Sequence, residues 1–416
     1  MNWIKICSPL FLVVACFTLL SGCGVTSKSV SADLSYTNSD ISAISFSPDI
    51  KVVGLGEASH GVSEYQEMKS EIFKALVQSN GCQTFIIEGD FGGALKVDTY
   101  INGGSGSAEG VVKEIGFSIY HTQEMVDLIE WMRSYNETAL PENKLHFYGM
   151  DVQRFDNSKE YLFSTLNQSV PELSAKYLEV LAQFTDENIS LLSKDDFING
   201  KNTISKLIEE MDSVESDIVS LVGQTTFDFA RECANTIYAC CDVQSNDNYN
   251  ATRDKYMFNK VKWFLQYGNE SVLFINGHNG HIGETSVAGY TCLGELLSDD
   301  LGNSYYSIGT DAQITRFNSQ KENNEFEIVE VSNQNDLNSQ FEHSDTNQYF
   351  IDFDLASSDD VWKQIANSSQ KVTTLNVSLT EWQKLISSAY TTTIIPESTY
   401  DSMIIFYSVS PTTLLQ

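Results

Sequence analysis

The sequence predicts an α/β fold: a mostly parallel central sheet flanked by helices, with an inserted helical subdomain. Two observations predict it. Short apolar runs alternate along the chain with stretches of helical periodicity, an order typical of a parallel sheet covered on both faces. One long region, by contrast, is helical in period and lacks strand-like runs. A chain of 416 residues that is 42% hydrophobic and 19% charged can bury a sizeable core around such a sheet.

Six apolar runs are predicted to be the strands, because each is short and is followed by Gly or by polar residues. They are residues 51–55, 84–87, 144–148, 271–275, 305–308 and 403–408. Between them, residues 62–79 and 123–135 carry apolar side chains at every third or fourth position. This spacing predicts amphipathic helices in the connections between strands.

Residues from about 157 to 265 break the alternation of strands and helices. They are polar and helical in period, so we expect a helical subdomain packed over one end of the sheet. Residues 318–338 are polar enough to predict an exposed loop or a poorly ordered connection. The α/β domain as a whole is expected to span residues 41–416.

Residues 1–22 have the pattern of a lipoprotein signal peptide. One charge, Lys5, precedes an apolar run over residues 9–20 that is short for a membrane span, and Leu20-Ser-Gly-Cys23 resembles a lipobox. We expect cleavage before Cys23, diacylation of its thiol and a membrane-anchored position facing away from the cytoplasm. Residues 23–40 would then be a flexible tether. The alternative is a plain signal peptide followed by an incidental cysteine.

The chain is strongly acidic, with 56 Asp and Glu against 25 Lys and Arg and a formal charge of −31. A surface of this sign excludes nucleic acid as a partner. The expected contact with the membrane is therefore through the N-terminal lipid, and the oligomeric state stays open.

Five cysteines follow the predicted lipidation site: Cys82, Cys233, Cys240, Cys241 and Cys292. Five is an odd number, so at least one thiol is free. Export permits disulfides, and a local pair of Cys233 with Cys240 or Cys241 is one arrangement. The connectivity stays open, because sequence alone does not assign it.

Ionisable side chains follow four of the predicted strands, at the points where those strands end. In open α/β sheets, ligands bind outside the carboxyl ends of the strands. We therefore expect these groups to meet in one crevice although they lie far apart in sequence. They are Glu57 and His60 after the first strand, Glu88 after the second, Asp151 after the third, and His278 and His281 after the fourth.

Some of these residues have a second interpretation. Asp151 either lines the crevice or caps a following helix. His278 and His281 are spaced like a pair of metal ligands, but the same spacing arises in loops that bond to the backbone, and no complete ligand motif accompanies them. A divalent metal at the His and Glu cluster therefore stays an alternative to a site without a cofactor.

The absence of several common motifs from the sequence argues against some classes of enzyme and of nucleotide-binding site. The sequence has no G-x-S-x-G nucleophile elbow, no Walker A motif and no G-x-G-x-x-G after the first strand. Histidines and carboxylates without an obvious nucleophilic Ser or Cys indicate direct activation of water. A histidine oriented by a carboxylate can take the proton of a water molecule, and a second cationic or donor group can stabilise an oxyanion.

An ordered set of motifs resembles the signature of the erythromycin esterase family. The set comprises Gly56-Glu-Ala-Ser-His-Gly61, Glu64, Lys69, Glu88 and His278-Asn-Gly-His281, and further matches at Trp131-Met-Arg-Ser-Tyr-Asn136, Gly149-Met-Asp-Val-Gln153, Arg253-Asp-Lys-Tyr-Met257 and Tyr400-Asp-Ser-Met403. The resemblance spans about residues 40–410. By itself the G-E-x-[ST]-H-G motif is moderately specific, while the ordered set is highly specific for membership of the family.

The resemblance implies an α/β core with an added helical region, and hydrolysis of an ester, such as a macrolide lactone, without a cofactor, by a metal-independent or weakly metal-sensitive route. It implies that His60 is the general base, that Glu57 and Glu88 orient it and tune its pKa, and that His278 and His281 bind or polarise the substrate carbonyl. It further implies that four residues bind substrate: Glu64, Lys69, Asp151 and Arg253. Lys69 stands where the family often has Arg. Arg253 and the adjacent Asp254 come from the helical region.

Two other classes of function stay open beside the hydrolase of a small-molecule ester. One is a metal- or haem-binding surface lipoprotein without hydrolase activity, which would use His278 and His281 as ligands. The other is an enzyme that modifies envelope carbohydrate with Glu57 and Glu88 as paired carboxylates. The natural substrate stays open in all three.

Overall fold

The computed structural model describes residues 31–268, 272–321, 325–380 and 382–415. The signal peptide predicted over residues 1–22 and the predicted lipidation of Cys23 lie outside the described residues. Within the part of the chain that is described, no helix combines the length and the apolar character needed to cross a membrane.

The centre of the fold is a nine-stranded sheet, accompanied by a separate two-stranded sheet. The strands are β1 (Thr37–Asn38), β2 (Val52–Glu57), β3 (Thr84–Asp90), β4 (His146–Asp151), β5 (Leu273–His278), β6 (Tyr305–Gln320), β7 (Phe326–Ser332), β8 (Gln348–Asp352), β9 (Gln370–Thr373), β10 (Thr391–Ile394) and β11 (Ser402–Val409). The order across the large sheet is β1-β8-β11-β6-β2-β5-β3-β4, with β7 paired to β6, while β9 and β10 form the small sheet.

The six strands predicted from the sequence are the six that pair in parallel. They lie side by side in the order β11-β6-β2-β5-β3-β4, and every pairing among them is parallel. The prediction of a mostly parallel α/β sheet is therefore confirmed. Strands β8 and β1 extend one edge in antiparallel fashion, and β7 forms an antiparallel hairpin with β6.

Helices occupy the connections between the parallel strands. They are α1 (Ser63–Asn80), α2 (Phe91–Ile101), α3 (Ala108–Val112), α4 (Gln123–Thr138), α5 (Asp156–Ser169), α6 (Pro171–Leu178), α7 (Lys194–Ser213), α8 (Glu215–Val222), α9 (Gln224–Ser245), α10 (Tyr249–Tyr267), α11 (Asn279–Ile282), α12 (Leu293–Leu301), α13 (Phe353–Ala356), α14 (Asp360–Ala366) and α15 (Pro396–Thr399). The two helices predicted from periodicity correspond to α1 and α4.

Two apolar layers cover the two faces of the sheet. Side chains alternate between the faces along each strand, so Val53 and Phe85 pack against α1 and α4, whereas Val52 and Ile86 pack against α2 and the long helices that follow β4. Every residue of β2 and β3 is buried. Burial on both faces explains why the parallel strands are nearly continuous apolar runs in the sequence.

The chain between β4 and β5 is folded into helices α5 to α10. Helix α9 lies at the centre of this region and contacts α5, α7 and α10. Its residues Cys233, Cys240 and Cys241 are buried free thiols. The local disulfide considered from the sequence is wrong, because residues seven or eight positions apart on one helix are separated by about 10–12 Å along its axis, beyond the reach of a disulfide.

Two predicted boundaries differ from the structure. The tether predicted over residues 23–40 is wrong from residue 32 onward, since the Ala32 amide donates to Gln340 Oε1 at 2.9 Å and Trp362 Nε1 donates to the Asp33 carbonyl at 2.9 Å. The loop predicted over residues 318–338 is also wrong, because much of it forms the β6–β7 hairpin. In both places, strand pairing with a distant segment outweighs a polar local sequence.

Candidate active site

A cavity of about 780 Å³ opens at the carboxyl ends of the central parallel strands. Its volume lies in the range of pockets that hold small molecules. Six of the residues singled out from the sequence line it together: His60, Glu88, Asp151, Arg253, His278 and His281. The predicted crevice thus exists, and these side chains come from the turn after β2, from β3, β4 and β5, and from α10 and α11.

Parallel register brings these side chains together. Glu57 at the end of β2 is the register partner of His278 at the end of β5, and His60 follows in the tight turn into α1. A Cβ atom at Gly61 would come within 2.4 Å of the Asn318 carbonyl oxygen. The turn that presents His60 therefore needs glycine at its last position.

Glu57 supports His60 from the interior. Glu57 is fully buried, its Oε2 lies 3.4 Å from His60 Nδ1, and its Oε1 is paired with the ammonium group of Lys69. Gln66 Nε2 donates to the same Oε2 at 3.3 Å. Burial by itself raises the pKa of Glu57, but the charge of Lys69 and the contact with His60 outweigh burial and place the pKa below its usual value.

Glu88 is the central carboxylate of the cavity wall. Its Oε1 accepts a hydrogen bond from Arg253 Nη2 at 2.6 Å and lies 3.3 Å from His281 Nε2, while its Oε2 accepts from the His278 amide at 2.7 Å. Burial opposes the charge of Glu88, yet His281 and Arg253 hold its pKa well below the usual range. Glu88 is therefore ionised and bridges three elements of the site.

Arg253 connects the helical region to the sheet. Its Nε and Nη2 donate to the two carboxylate oxygens of Asp151, each at 2.9 Å, and Nη2 also donates to Glu88. Asp151 further accepts from the Val152 amide at 2.7 Å and from Gln153 Nε2 at 2.6 Å. Of its two predicted roles, Asp151 therefore takes the one at the cavity wall, paired with arginine, and it caps no helix.

His281 lies between two carboxylates. Its Nδ1 is 2.9 Å from Asp254 Oδ2, and its Nε2 is 3.3 Å from Glu88 Oε1 and 3.0 Å from Arg253 Nη1. Burial would lower the pKa of His281, but Glu88 and the hydrogen bond to Asp254 outweigh burial and raise the pKa to about 9. The ring is an imidazolium at neutral pH.

His278, in contrast to His281, is a neutral ring at neutral pH. Its Nδ1 accepts a hydrogen bond from the Gly280 amide at 3.1 Å, so the proton of the neutral ring is on Nε2. Burial is the main cause that lowers the pKa of His278 to about 3. Among the described residues, the buried Nε2 has no hydrogen-bond partner, and the ring centroid is 5.5 Å from that of His60.

Tyr120 closes the site on the side of α4. Its buried hydroxyl donates to the Glu88 carbonyl at 3.0 Å, and its ring packs edge-on against His60 with a centroid distance of 6.0 Å. Tyr120 lies in the short 3-10 turn Ser118–Tyr120, away from any strand end, so the strand-end pattern that predicts most of the other site residues does not include it.

Uncharged residues form the outer wall of the cavity and were not predicted. They come from the loop before α4, the turn after β4, the start of α10, the end of β6, and residues 370–394, which we call the β9–β10 arm: Ser118, Gln153, Asn250, Gln320, Thr374, Asn376 and Thr392. Of these, Gln153 alone belongs to a motif that the sequence singles out, in Gly149-Met-Asp-Val-Gln153. The others leave no local signal, since they are ordinary loop and edge residues.

Two residues predicted to bind substrate do not line the cavity. Glu64 Oε2 accepts from the Ser410 amide at 2.7 Å, which ties the start of α1 to the C-terminal segment. Lys69 is 1% exposed and faces Glu57 in the interior. Substrate binding by Glu64 and Lys69 therefore has no support from the cavity lining and stays a prediction. Lys69 contacts the site through Glu57.

No group of three or more His, Cys, Asp or Glu side chains within the described part of the chain is arranged to hold a metal ion. His278 and His281, which have the spacing of paired ligands, point to different partners: Nδ1 of His278 accepts from Gly280, and both nitrogens of His281 face carboxylates. The two rings are thus held in separate hydrogen-bonded arrangements.

The chain is similar in sequence to an erythromycin esterase and to a putative hydrolase. The family model described as erythromycin esterase matches residues 77–409. Erythromycin esterase type II of Escherichia coli is 24% identical over 300 residues, covering 63% of this chain and 68% of that protein. The putative hydrolase YbfO of Bacillus subtilis strain 168 is 24% identical over 165 residues, covering 39% of this chain and 35% of that protein.

Solved structures share the fold. A Bacillus cereus protein superposes with a TM-score of 0.76 at 23% identity, covering 88% of this chain and 91% of that one. A succinoglycan biosynthesis protein gives 0.74 at 19% identity, with coverage of 88% and 90%. A mutant of the erythromycin esterase EreC in its open conformation gives 0.63 at 13% identity, with coverage of 88% and 93%.

Proposed function

The chain belongs to the erythromycin esterase family, and from this premise we propose that it hydrolyses an ester with a water molecule activated by His60. Membership supports the broader statement, a hydrolase that acts on esters. The observation that carries the finer proposal is the pairing of His60, at the cavity wall, with the buried and ionised Glu57 behind it, with 3.4 Å between His60 Nδ1 and Glu57 Oε2.

His60 is the general base of the proposed reaction. The Glu57 carboxylate faces Nδ1, which favours a proton on that nitrogen and leaves the lone pair of Nε2 for a water proton. Lys69 keeps Glu57 ionised inside the protein. Because the carboxylate is fully buried, its effect on the imidazole is not screened by solvent.

Two groups of different kinds, one neutral donor and one cation, would stabilise the developing oxyanion. His278 offers a neutral Nε2–H that Gly280 fixes in place, and His281 offers the positive charge of its ring. When water attacks the ester carbon, a C–O bond forms, His60 takes the water proton, and the carbonyl oxygen becomes negative between these groups. The bond to the leaving oxygen then breaks, His60 returns its proton to that oxygen, and the products are an acid and an alcohol.

The proposed substrate is a macrolide lactone or a related small-molecule ester. The E. coli relative is named for erythromycin, the cavity of about 780 Å³ is large for a pocket of this kind, and its outer wall offers hydroxyl and amide groups to a hydroxylated ligand. The chemistry of the inner wall requires no cofactor.

We place this activity outside the cytoplasm, on a membrane. The support is the sequence pattern of residues 1–23, which resembles a lipoprotein signal. Replacing Cys23 by Ser should move the protein from the membrane fraction to the soluble fraction of the producing cell and should abolish incorporation of labelled fatty acid. Retention of the label in Cys23→Ser would contradict lipidation at this residue.

Mass spectrometry of reaction products tests the hydrolase. The wild type and His60→Ala are incubated with erythromycin and with simple aryl esters, and His343→Ala, which removes an exposed histidine, is the matched control. We expect a product heavier by one water with the wild type and the control and none with His60→Ala. Full activity of His60→Ala would exclude His60 as the base, and a folded wild type that leaves every ester intact would contradict the proposed reaction.

A further inference from the structure

Asp254 is a buried carboxylate that contacts the active site from behind. It is completely buried and does not line the cavity. Its Oδ2 accepts hydrogen bonds from His281 Nδ1 and from the Leu293 amide, both at 2.9 Å. Its Oδ1 has no hydrogen-bond partner among the described residues. A buried carboxylate that is only half satisfied by neutral donors is costly unless it faces a positive charge.

The positive charge that Asp254 faces is the ring of His281. Both ring nitrogens of His281 lie next to carboxylate oxygens, Nδ1 next to Asp254 and Nε2 next to Glu88. A neutral imidazole donates through one nitrogen only, so one of the two carboxylates would face a lone pair. The doubly protonated ring donates to both, which makes it the form that fits this position.

The other groups near His281 do not prevent the double protonation of its ring. Arg253 Nη1 lies 3.0 Å from Nε2, where it opposes a second positive charge and could donate to a neutral ring. The charge of Arg253 is offset by Asp151 and Glu88, which its Nε and Nη2 contact. His278, on β5, is neutral, and Tyr290, on the loop before α12, keeps its proton because burial raises its pKa. Asp254 and Glu88 therefore outweigh the opposing charge.

We propose that Asp254 is a positioning residue that keeps His281 doubly protonated and fixed at the cavity wall, so that His281 serves as a permanent cation for the oxyanion and never as a base. The proposal rests on the ester hydrolysis proposed above, which it deepens. Under this proposal the three histidines have different roles: His60 transfers the proton, His278 donates a hydrogen bond as a neutral ring, and His281 supplies a positive charge.

The first test is a titration of the histidine rings by NMR in the protein without substrate. His281→Gln identifies the signal of His281. We expect His281 in the wild type to stay protonated above pH 8, and Asp254→Asn, whose amide oxygen still accepts both hydrogen bonds, to lower its midpoint by at least about one pH unit. The matched control is Asp299→Asn, which removes the same charge from an exposed position on α12.

Two results would overturn the proposal. One is a wild-type His281 that is neutral at pH 7 and accepts from Arg253 Nη1, and the other is a midpoint that Asp254→Asn leaves unchanged. Thermal unfolding shows whether Asp254→Asn is folded. If it is not, the titration of His281 in the wild type still tests the proposal. Since the titration needs no substrate, its outcome is independent of whether the protein hydrolyses esters.

The second test links Asp254 to the reaction through His281. We expect Asp254→Asn to move the basic limb of the pH profile of kcat/KM to lower pH and to lower kcat at least about tenfold at pH 8, with little change in KM. In the His281→Gln background, Asp254→Asn should have no further effect on kcat. An equal loss in both backgrounds would mean that Asp254 acts on the fold and not through His281.

Discussion

Arg253 donates two parallel hydrogen bonds to Asp151, a residue 102 positions earlier in the chain. One partner comes from α10 in the helical region and the other from the end of β4, so the pair joins the two parts of the cavity wall. The same guanidinium reaches Glu88 on β3. A planar fork with several donors makes these contacts at once, whereas an ammonium group is a single point charge.

Replacing Arg253 by Lys should therefore impair the enzyme although the charge is kept. We expect kcat/KM to fall at least about tenfold, because Glu88 and Asp151 lose their common donor and the cavity wall loosens. Arg231→Lys is a matched control, since Arg231 forms the same two-pronged pair with Asp212 at the surface. Steady-state kinetics on an ester substrate measure the effect. If Arg253→Lys has the same kcat/KM as the wild type, the paired hydrogen bonds of the guanidinium are not needed for activity.

The parallel core of the fold was predictable because buried parallel strands are apolar along their whole length. Residues 84–87, for example, are an apolar run in the sequence and form part of β3. Strand β7 was missed because its side chains alternate between exposed and buried within a polar stretch. Its pairing with β6 depends on a hairpin that local composition does not reveal.

The inner site was predictable for a related reason. Parallel register aligns the ends of the strands, so Glu57 and His278 are neighbours. Both can be recognised in the sequence because each follows an apolar run. The partners of these residues come from elsewhere. Tyr120 lies in a 3-10 turn, and the contact of Asp254 with His281 depends on how α10 packs. Glu64, which is one helical turn beyond His60, belongs to the expected motif but faces the C-terminal segment.

Lys69 should be essential for stability because of its pairing with Glu57. Lys69→Met leaves a fully buried carboxylate without a counter-charge, which costs about 3–5 kcal/mol in the free energy of unfolding. The double variant Lys69→Met with Glu57→Gln should recover much of that loss while staying inactive. Urea unfolding measures both. Lys176→Met breaks a surface pair with Glu210 and should change little. A single variant as stable as the wild type would mean that the buried pair contributes nothing.

The width of the cavity should set the size of the substrate. Asn376 is an exposed residue of the β9–β10 arm that lines the cavity. Asn376→Trp places a large ring in the outer part of the cavity and leaves the histidines untouched. We expect KM for a macrolide to rise at least about tenfold, while kcat/KM for a small aryl ester stays within about twofold. Loss of both activities together would place Asn376 in the fold or the inner site and not in substrate selection.

Asp401 should make the protein less stable as the pH rises towards neutrality. Burial and a hydrogen bond with Glu284 raise the pKa of Asp401 to about 7, so the folded state holds a proton that the unfolded state releases near pH 4. Stability therefore falls between about pH 4 and pH 7 through this group and is lowest above pH 7. Asp401→Asn, which mimics the protonated acid, should raise Tm more at pH 8 than at pH 5, as measured by calorimetry. Asp299→Asn, on the surface, should shift Tm equally at both pH values. The same pattern in Asp401→Asn would contradict a proton held by Asp401 in the folded state.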